Sequence, residues 1–174
     1  MDIQQLKQLK ILTIGDYCTD VFKYGICNRI SPEAPVPVFL FDHEVKADGM
    51  AGNVHKNVLS LKANSTLICS NKESLKVRYV DLKSKQHLLR ADFEKESKPI
   101  NINHIGNIKK YDAIIISDYN KGAIVEENVK YIIDNFNGPI FVDSKKNNLS
   151  IFKDRKSTRL NSSHVSESRM PSSA

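Results

Sequence analysis

The sequence holds only three cysteines, Cys18, Cys27 and Cys69, an odd number without CxxC spacing. That supplies neither a disulfide framework nor a zinc site and leaves reduced thiols as the expected state. No apolar run approaches the ~20 residues of a membrane span. The first short run, 11–14, follows Lys7 and Lys10, so a signal peptide is not expected either. A cytoplasmic protein without a membrane partner is the resulting expectation. His43, His55, His87 and His104 show no HExxH or HxxH spacing, which leaves metal and triad chemistry without a pattern. A Walker A loop, a Gly-x-Gly-Asp helix start and an HxGH motif are also missing. The formal charge is +6, but half of the excess comes from Arg155, Lys156, Arg159 and Arg169 set against Glu167 near the end. The rest is interspersed with acids and forms no basic stripe with aromatics, so nucleic acid is not an expected partner. An anionic small substrate accounts for the charge equally well.

With 174 residues the chain has room for one domain with a real core. Residues 9–14 form an apolar run closed by Gly15-Asp16, the pattern of a buried parallel strand and its turn. Pro32, Pro35 and Pro37 then fix φ and remove backbone donors, so 28–37 must be extended and cannot be a central strand. Residues 21–26 and 36–44 read as extended pieces around it, suited to an edge or a lid. A helix opens at Gly49-Met50-Ala51-Gly52-Asn53, with Val54, Val58 and Leu61 on one face, and a strand follows at 66–69. Alternation over 76–93 around Lys83-Ser84-Lys85 predicts a hairpin, and a helix is expected near 103–110. Next come an apolar strand at 113–116 and a helix at 126–135 with Val129, Ile132, Ile133 and Phe136 inward. Gly138-Pro139 stops that helix before a strand at 140–142. This βαβ order implies an α/β protein with a parallel sheet. Residues 156–174 are serine-rich and aperiodic and are expected to be disordered. They resemble translated adaptor read-through, so 155–174 is set aside as a sequencing artefact and 1–154 is taken as the domain.

Ligands of open parallel sheets sit beyond the carboxyl ends of the strands. Asp16 and Asp20, residues 118–122, and Asp143 with Lys145 all fall there. An aspartate at such a place can hold two sugar hydroxyls or merely cap a turn. Gly49, Gly52 and Asn53 let a ligand approach backbone at a helix start, or are an ordinary start with Asn53 as its cap. Lys121 and Lys145 can meet a phosphate or be solvated surface. Arg78, Gln86, Arg90 and Asp92 lie over a substrate or form the polar face of an exposed hairpin.

Several motifs recur in order: Gly15-Asp16 with Asp20, Arg29-Ile30-Ser31-Pro32-Glu33-Ala34-Pro35-Val36-Pro37, Gly49-Met50-Ala51-Gly52-Asn53, Lys76-Val77-Arg78-Tyr79, Gln86-His87-Leu88-Leu89-Arg90-Ala91-Asp92, Ser117-Asp118-Tyr119-Asn120-Lys121-Gly122 and Val142-Asp143-Ser144-Lys145. Together they resemble the phosphofructokinase-B (ribokinase-like) carbohydrate kinases, and within them the heptose-7-phosphate kinase domain of ADP-heptose synthases. The resemblance runs from about residue 10 to about residue 154. It implies a ribokinase-like, Rossmann-like parallel sheet with helices on both faces and a small β lid made of about 21–45 and 76–93, incomplete at the C-terminus. It further implies ATP-dependent phosphorylation of a sugar or sugar phosphate, heptose 7-phosphate being favoured, with ATP and Mg²⁺ as cofactors. Substrate-binding residues by this resemblance are Asp16, Asp20, Gly49, Asn53, Arg90, Lys121, Asp143 and Lys145, with no metal ligand. Met50 stands where the family's substrate motif has its second glycine. The catalytic aspartate and most adenine contacts belong to a C-terminal half that the chain lacks, so no catalytic residue is assigned and the fragment is expected to be inactive alone. The alternative is a non-catalytic sugar-binding or partner-binding remnant. A homodimer through the lid strands is also implied.

Overall fold

The computed structural model describes residues 6–70 and 74–152, and the backbone of 158–161. In chain order its strands are β1 (Lys10–Gly15), β2 (Tyr17–Ile30), β3 (Pro37–Met50), β4 (Asn64–Cys69), β5 (Leu75–Asp81), β6 (His87–Phe93), β7 (Ala113–Asp118), β8 (Ile140–Ser144) and β9 (Thr158–Asn161). The helices are α1 (Ala51–Ser60), α2 (Ile102–Ile105) and α3 (Glu126–Asn135).

Five strands make one parallel sheet in the order β4-β1-β7-β8-β9. The apolar runs read from the sequence are its centre, because a strand covered on both faces needs apolar side chains on both. Leu12 and Ile14 of β1 join Ile114, Ile116, Ile140 and Val142 in a core closed by Val129, Ile132 and Ile133 of α3 and by Phe136 just beyond its end. Thr13, between them, points the other way and bonds Ser65 Oγ at 3.2 Å, which in turn meets His55 of α1 at 2.8 Å. Helices therefore cover both faces, as expected. The outer two crossovers run in opposite directions from the β1–β7 centre, which for right-handed connections places α1 and α3 on opposite sides.

The extended pieces expected at 21–45 and 76–93 form one separate sheet, ordered β3-β2-β5-β6. Its β2/β3 and β5/β6 pairs are antiparallel hairpins, and β2 and β5 are joined in parallel. The first hairpin is longer than 21–26 and 36–44. Register shifts between Tyr24 and Gly25 and between Cys27 and Ile30 interrupt the alternation that would have revealed it. The proline segment is its tip, where Ser31 N–H reaches Val36 O at 2.9 Å.

Three expectations are corrected. The helix near 103–110 is two short pieces, α2 and a 3-10 turn at Ile108–Lys110. Asn101 and Asn107 each cap a new start by accepting from Asn103 N–H and Lys109 N–H, and Gly106 at φ 62° takes the left-handed conformation that parts them. Leu61 lies beyond the end of α1 and is 58 % exposed, so the apolar face of that helix rests on Ala51, Gly52 and Val58. Within the tail expected to be disordered, Thr158–Asn161 is β9, paired in parallel with β8 from Ile140↔Thr158 to Asp143↔Asn161. The open edge of β8 offers the unpaired N–H and C=O groups that such a segment can satisfy. The rest of 155–174 lies outside the described residues.

Candidate functional site

The carboxyl ends of β1, β7 and β8 meet beneath the second sheet, and Asp16 is the residue that ties them. It is fully buried, and its carboxylate accepts from the backbone N–H of Tyr119 at 2.7 Å, Lys121 at 3.2 Å and Ala123 at 3.1 Å. Its own carbonyl accepts from Ala51 N–H at 3.0 Å. The expectation that Asp16 faces a sugar is therefore corrected: both oxygens are spent holding the 119–123 loop to β1.

Asp118, also fully buried, anchors the other side of that loop. It accepts from Asn120 N–H at 2.9 Å, from Ser144 Oγ at 2.7 Å and from Lys146 Nζ at 3.0 and 2.9 Å, and Lys146 gives a further proton to Ile124 O at 3.0 Å. Asn120 sits at φ 56°, a conformation asparagine tolerates better than most residues. Sequence reasoning missed Lys146. The signal was the Ser144-Lys145-Lys146 run directly after a strand, where one lysine turns inward and its neighbour outward.

The outward one, Lys145, lies with Nζ 4.3 Å from the centroid of the Tyr119 ring. Burial raises the Tyr119 phenol above its ordinary value, and the negative charges of Asp143 and Asp20 add to it. Tyr119 directly follows β7, Asp143 lies near the end of β8, and Asp20 is on β2 of the lid. Asp20 pairs with Arg78, whose guanidinium also lies 5.1 Å over the Phe22 ring. Gly49 stands across from Cys18 in the β2/β3 ladder, and a Cβ there would come within 2.5 Å of Cys18 Sγ and 2.6 Å of Asp20 Oδ2. Glycine is what leaves room for the Asp20 carboxylate.

Other expected residues are arranged differently. Asn53 is exposed in the first turn of α1 and is not its cap, since the cap position is Met50 and carries no side-chain hydrogen bond. Met50 holds φ 53° and ψ −126°, a conformation that favours glycine, at the place where the resemblance expects one. Arg90 forms a two-point bond to Asp92, both at 2.7 Å, on the same face as Asp20. Lys121 Nζ pairs with Glu94 at 2.7 Å where the segment after β6 returns to the core. At the base of the lid the Tyr17 hydroxyl donates to Asp48, which also holds Lys56 at 3.0 Å. Burial, with the Asp48 bond, pushes the Tyr17 phenol up to about 12. So Asp20 and Arg90 share one face of the lid with Gly49 beside Asp20, Lys145 packs on Tyr119 at the ends of the core strands, Lys121 is held by Glu94, and Asn53 is exposed on α1.

The Cys18 thiol is buried and pushed up by that burial and by Asp20, whereas Cys27 and Cys69 are partly exposed. A protonated, buried thiol is a poor nucleophile. Iodoacetamide at pH 8 is expected to modify Cys27 and Cys69 well before Cys18, as read by peptide mass spectrometry. Early labelling of Cys18 would contradict the closed packing at Gly49.

A parallel sheet covered on both faces, with a four-stranded sheet over the carboxyl ends of its strands, is the ribokinase-like α/β fold. The tetrameric inhibited form of phosphofructokinase-2 from Escherichia coli superposes with a TM-score of 0.51, covering 83 % of this chain and 57 % of that one at 13 % identity. The same enzyme in complex with potassium gives 0.50 over 83 % and 56 %, also at 13 % identity. In sequence the chain is a homologue of proteins named bifunctional protein HldE. It is 32 % identical to that of Bradyrhizobium diazoefficiens over 86 % of this chain and 38 % of the relative. It is 30 % identical to that of Haemophilus influenzae (strain PittEE) over 81 % and 36 %. The chain thus spans less than two fifths of the length of these curated relatives. No family model matches it.

Proposed function

We propose that this chain is the sugar-binding and lid portion of an ATP-dependent carbohydrate kinase acting on a sugar phosphate, with heptose 7-phosphate the favoured substrate. What supports the reading is that Lys145 packs on the Tyr119 ring at the carboxyl ends of β7 and β8, that the Tyr119 phenol is raised by burial and by the charges of Asp143 and the lid carboxylate Asp20, and that Gly49 leaves room for Asp20. Asp20 accepts sugar hydroxyls through its two oxygens, with Gly49 clearing the space and Asn53 offering an amide at the rim. Asp143 takes a further hydroxyl, and Lys121, Lys145 and Arg90 make the surroundings cationic.

The residues present do not form a site for ATP and Mg²⁺. The sequence has no Gly-x-Gly-Asp, and among the described residues no three His, Cys, Asp or Glu side chains are grouped to hold a metal. Nucleotide handling is assigned to sequence outside this segment, and no catalytic base is named within it. A homodimer through the lid is part of the proposal: Leu89 and Phe93 are each 58 % exposed on its outer face. Among the described residues no helix is long and apolar enough to cross a membrane.

Isothermal titration of the chain with heptose 7-phosphate, with a parallel assay for ADP release, tests this. Binding without turnover is expected, and Asp20→Asn should weaken binding by about tenfold or more, the scale of a charged hydrogen bond. ADP release by the chain alone would overturn its inactivity. Failure to bind any sugar or sugar phosphate would overturn the sugar-binding reading.

A further inference from the structure

Each of the two sheets ends in two edge strands, and all but one of these edges carry a feature that discourages pairing with another chain. β3 is charged along its length, with Asp42, Glu44, Lys46 and Asp48, begins at Pro37 and is bulged against β2. β6 carries Arg90 and Asp92 and has a register shift against β5. β9 is only four residues long. β4 has none of these devices. Its sequence, Asn64-Ser65-Thr66-Leu67-Ile68-Cys69, holds neither a charge nor a proline, and its register with β1 runs unbroken from Lys10↔Asn64 to Gly15↔Cys69. Among the described residues β1 is its only strand partner, so the donors and acceptors on its outer side face away from the sheet. Thr66 at its middle is exposed. Beside it, where α1 packs on β4 and ends, Leu59 and Leu61 are exposed as well.

Independently of the kinase reading, we propose that this edge is an interface with a second copy of the chain, β4 pairing antiparallel with β4 of the other copy across a two-fold axis near Thr66 and Leu67. An edge strand is complementary to itself in that arrangement, because its outward donors and acceptors meet those of the copy. The two-fold axis also sets a charge requirement. It brings each residue at the middle of the strand against itself or a near neighbour, so a charge there would meet its like. The uncharged sequence of β4 satisfies this. Lys62, which precedes the strand, goes to opposite ends of the pair, where the two ammonium groups are separated by at least the ~20 Å length of six extended residues and screened from each other. The two parallel sheets then continue into one another, with Leu59 and Leu61 of each copy beside the seam. The seam lies at the end of the sheet opposite β8 and β9 and apart from the lid. Both this interface and a lid interface can therefore form at once, giving assemblies larger than a dimer.

Sedimentation velocity of the full chain over a wide concentration range tests this, with thermal melts as a folding control. Thr66→Lys sets a cation against its copy at the seam and should weaken association by about tenfold or more. Phe93→Asp, on the outer face of the lid, should leave pairing through β4 in place. Hydrogen exchange of the wild type at low and high concentration needs no variant: the β4 amides turned away from β1 should slow as the concentration rises. Association that survives Thr66→Lys and is lost in Phe93→Asp would belong to the lid alone and overturn the β4 interface, and so would a wild type that stays monomeric throughout. Outward β4 amides already slow at the lowest concentration would show that another segment of the chain covers the edge, which also overturns it. None of these outcomes bears on the kinase reading, which stands or falls on its ligand titration.

Discussion

Lys146→Met is expected to lower the stability of the fold by about 3–5 kcal/mol, the cost of leaving one member of a buried ion pair without its partner. Lys146 Nζ makes three hydrogen bonds, two to Asp118 and one to the Ile124 carbonyl, while Asp118 is fully buried at the end of β7. Methionine fills the volume but leaves the Asp118 carboxylate with only Ser144 Oγ and Asn120 N–H. Urea denaturation of the single variant, and of Lys146→Met combined with Asp118→Asn, separates the charge from the packing. The double variant should recover a large part of the loss, because no buried charge remains. A loss below about 1 kcal/mol, the range of exposed ion pairs, would show that solvent already screens the pair.

The second large effect is at Asp16. Asp16→Ala removes the acceptor for three backbone donors at 119, 121 and 123 and is expected to cost about 3 kcal/mol or more, since each buried donor left unpaired costs on the order of 1–3 kcal/mol. Hydrogen exchange locates the damage. The amides of Tyr119, Lys121 and Ala123 should exchange much faster, while those in the β2/β3 ladder keep their protection. Unchanged protection at those three amides would mean that the loop is held by other bonds, such as those of Asp118. Because Tyr119 lies against Lys145, the same variant should also weaken sugar binding without any direct contact between Asp16 and the sugar.

Asp16 and Asp20 show where sequence reading stops. Both are aspartates just past an apolar strand, and residue type cannot say which one is consumed by backbone. The answer depends on a loop more than a hundred positions later in the chain folding back onto β1. Lys145 and Lys146 pose the same difficulty at adjacent positions, because the side on which β8 releases the chain decides which lysine meets Asp118. The strand-helix-strand unit of β7, α3 and β8 was legible element by element, since its apolar periodicity is local and Gly138-Pro139 marks its turn. The parallel pairing of β2 with β5 was not, because nothing in either strand encodes its partner. At Met50 the sequence did mark an anomaly, a bulky residue at a glycine position, and the backbone there holds the left-handed conformation that such a site demands. Strain of this kind costs on the order of 1–3 kcal/mol.

The separation of the lid from the parallel sheet also bears on the order in which the chain acquires structure. β2 and β3 are consecutive and close as a hairpin around 31–36, so they can pair as soon as both have left the ribosome. β1 cannot do the same. Its partners are β4, which lies beyond the whole hairpin, and β7, where Ile14 waits for Ile116. Loop closure of that length is slow, and a strand that is apolar along its inner positions stays exposed until it is met. The β2/β3 half of the lid can therefore pair before anything else, whereas the parallel sheet is completed only when β7 reaches β1.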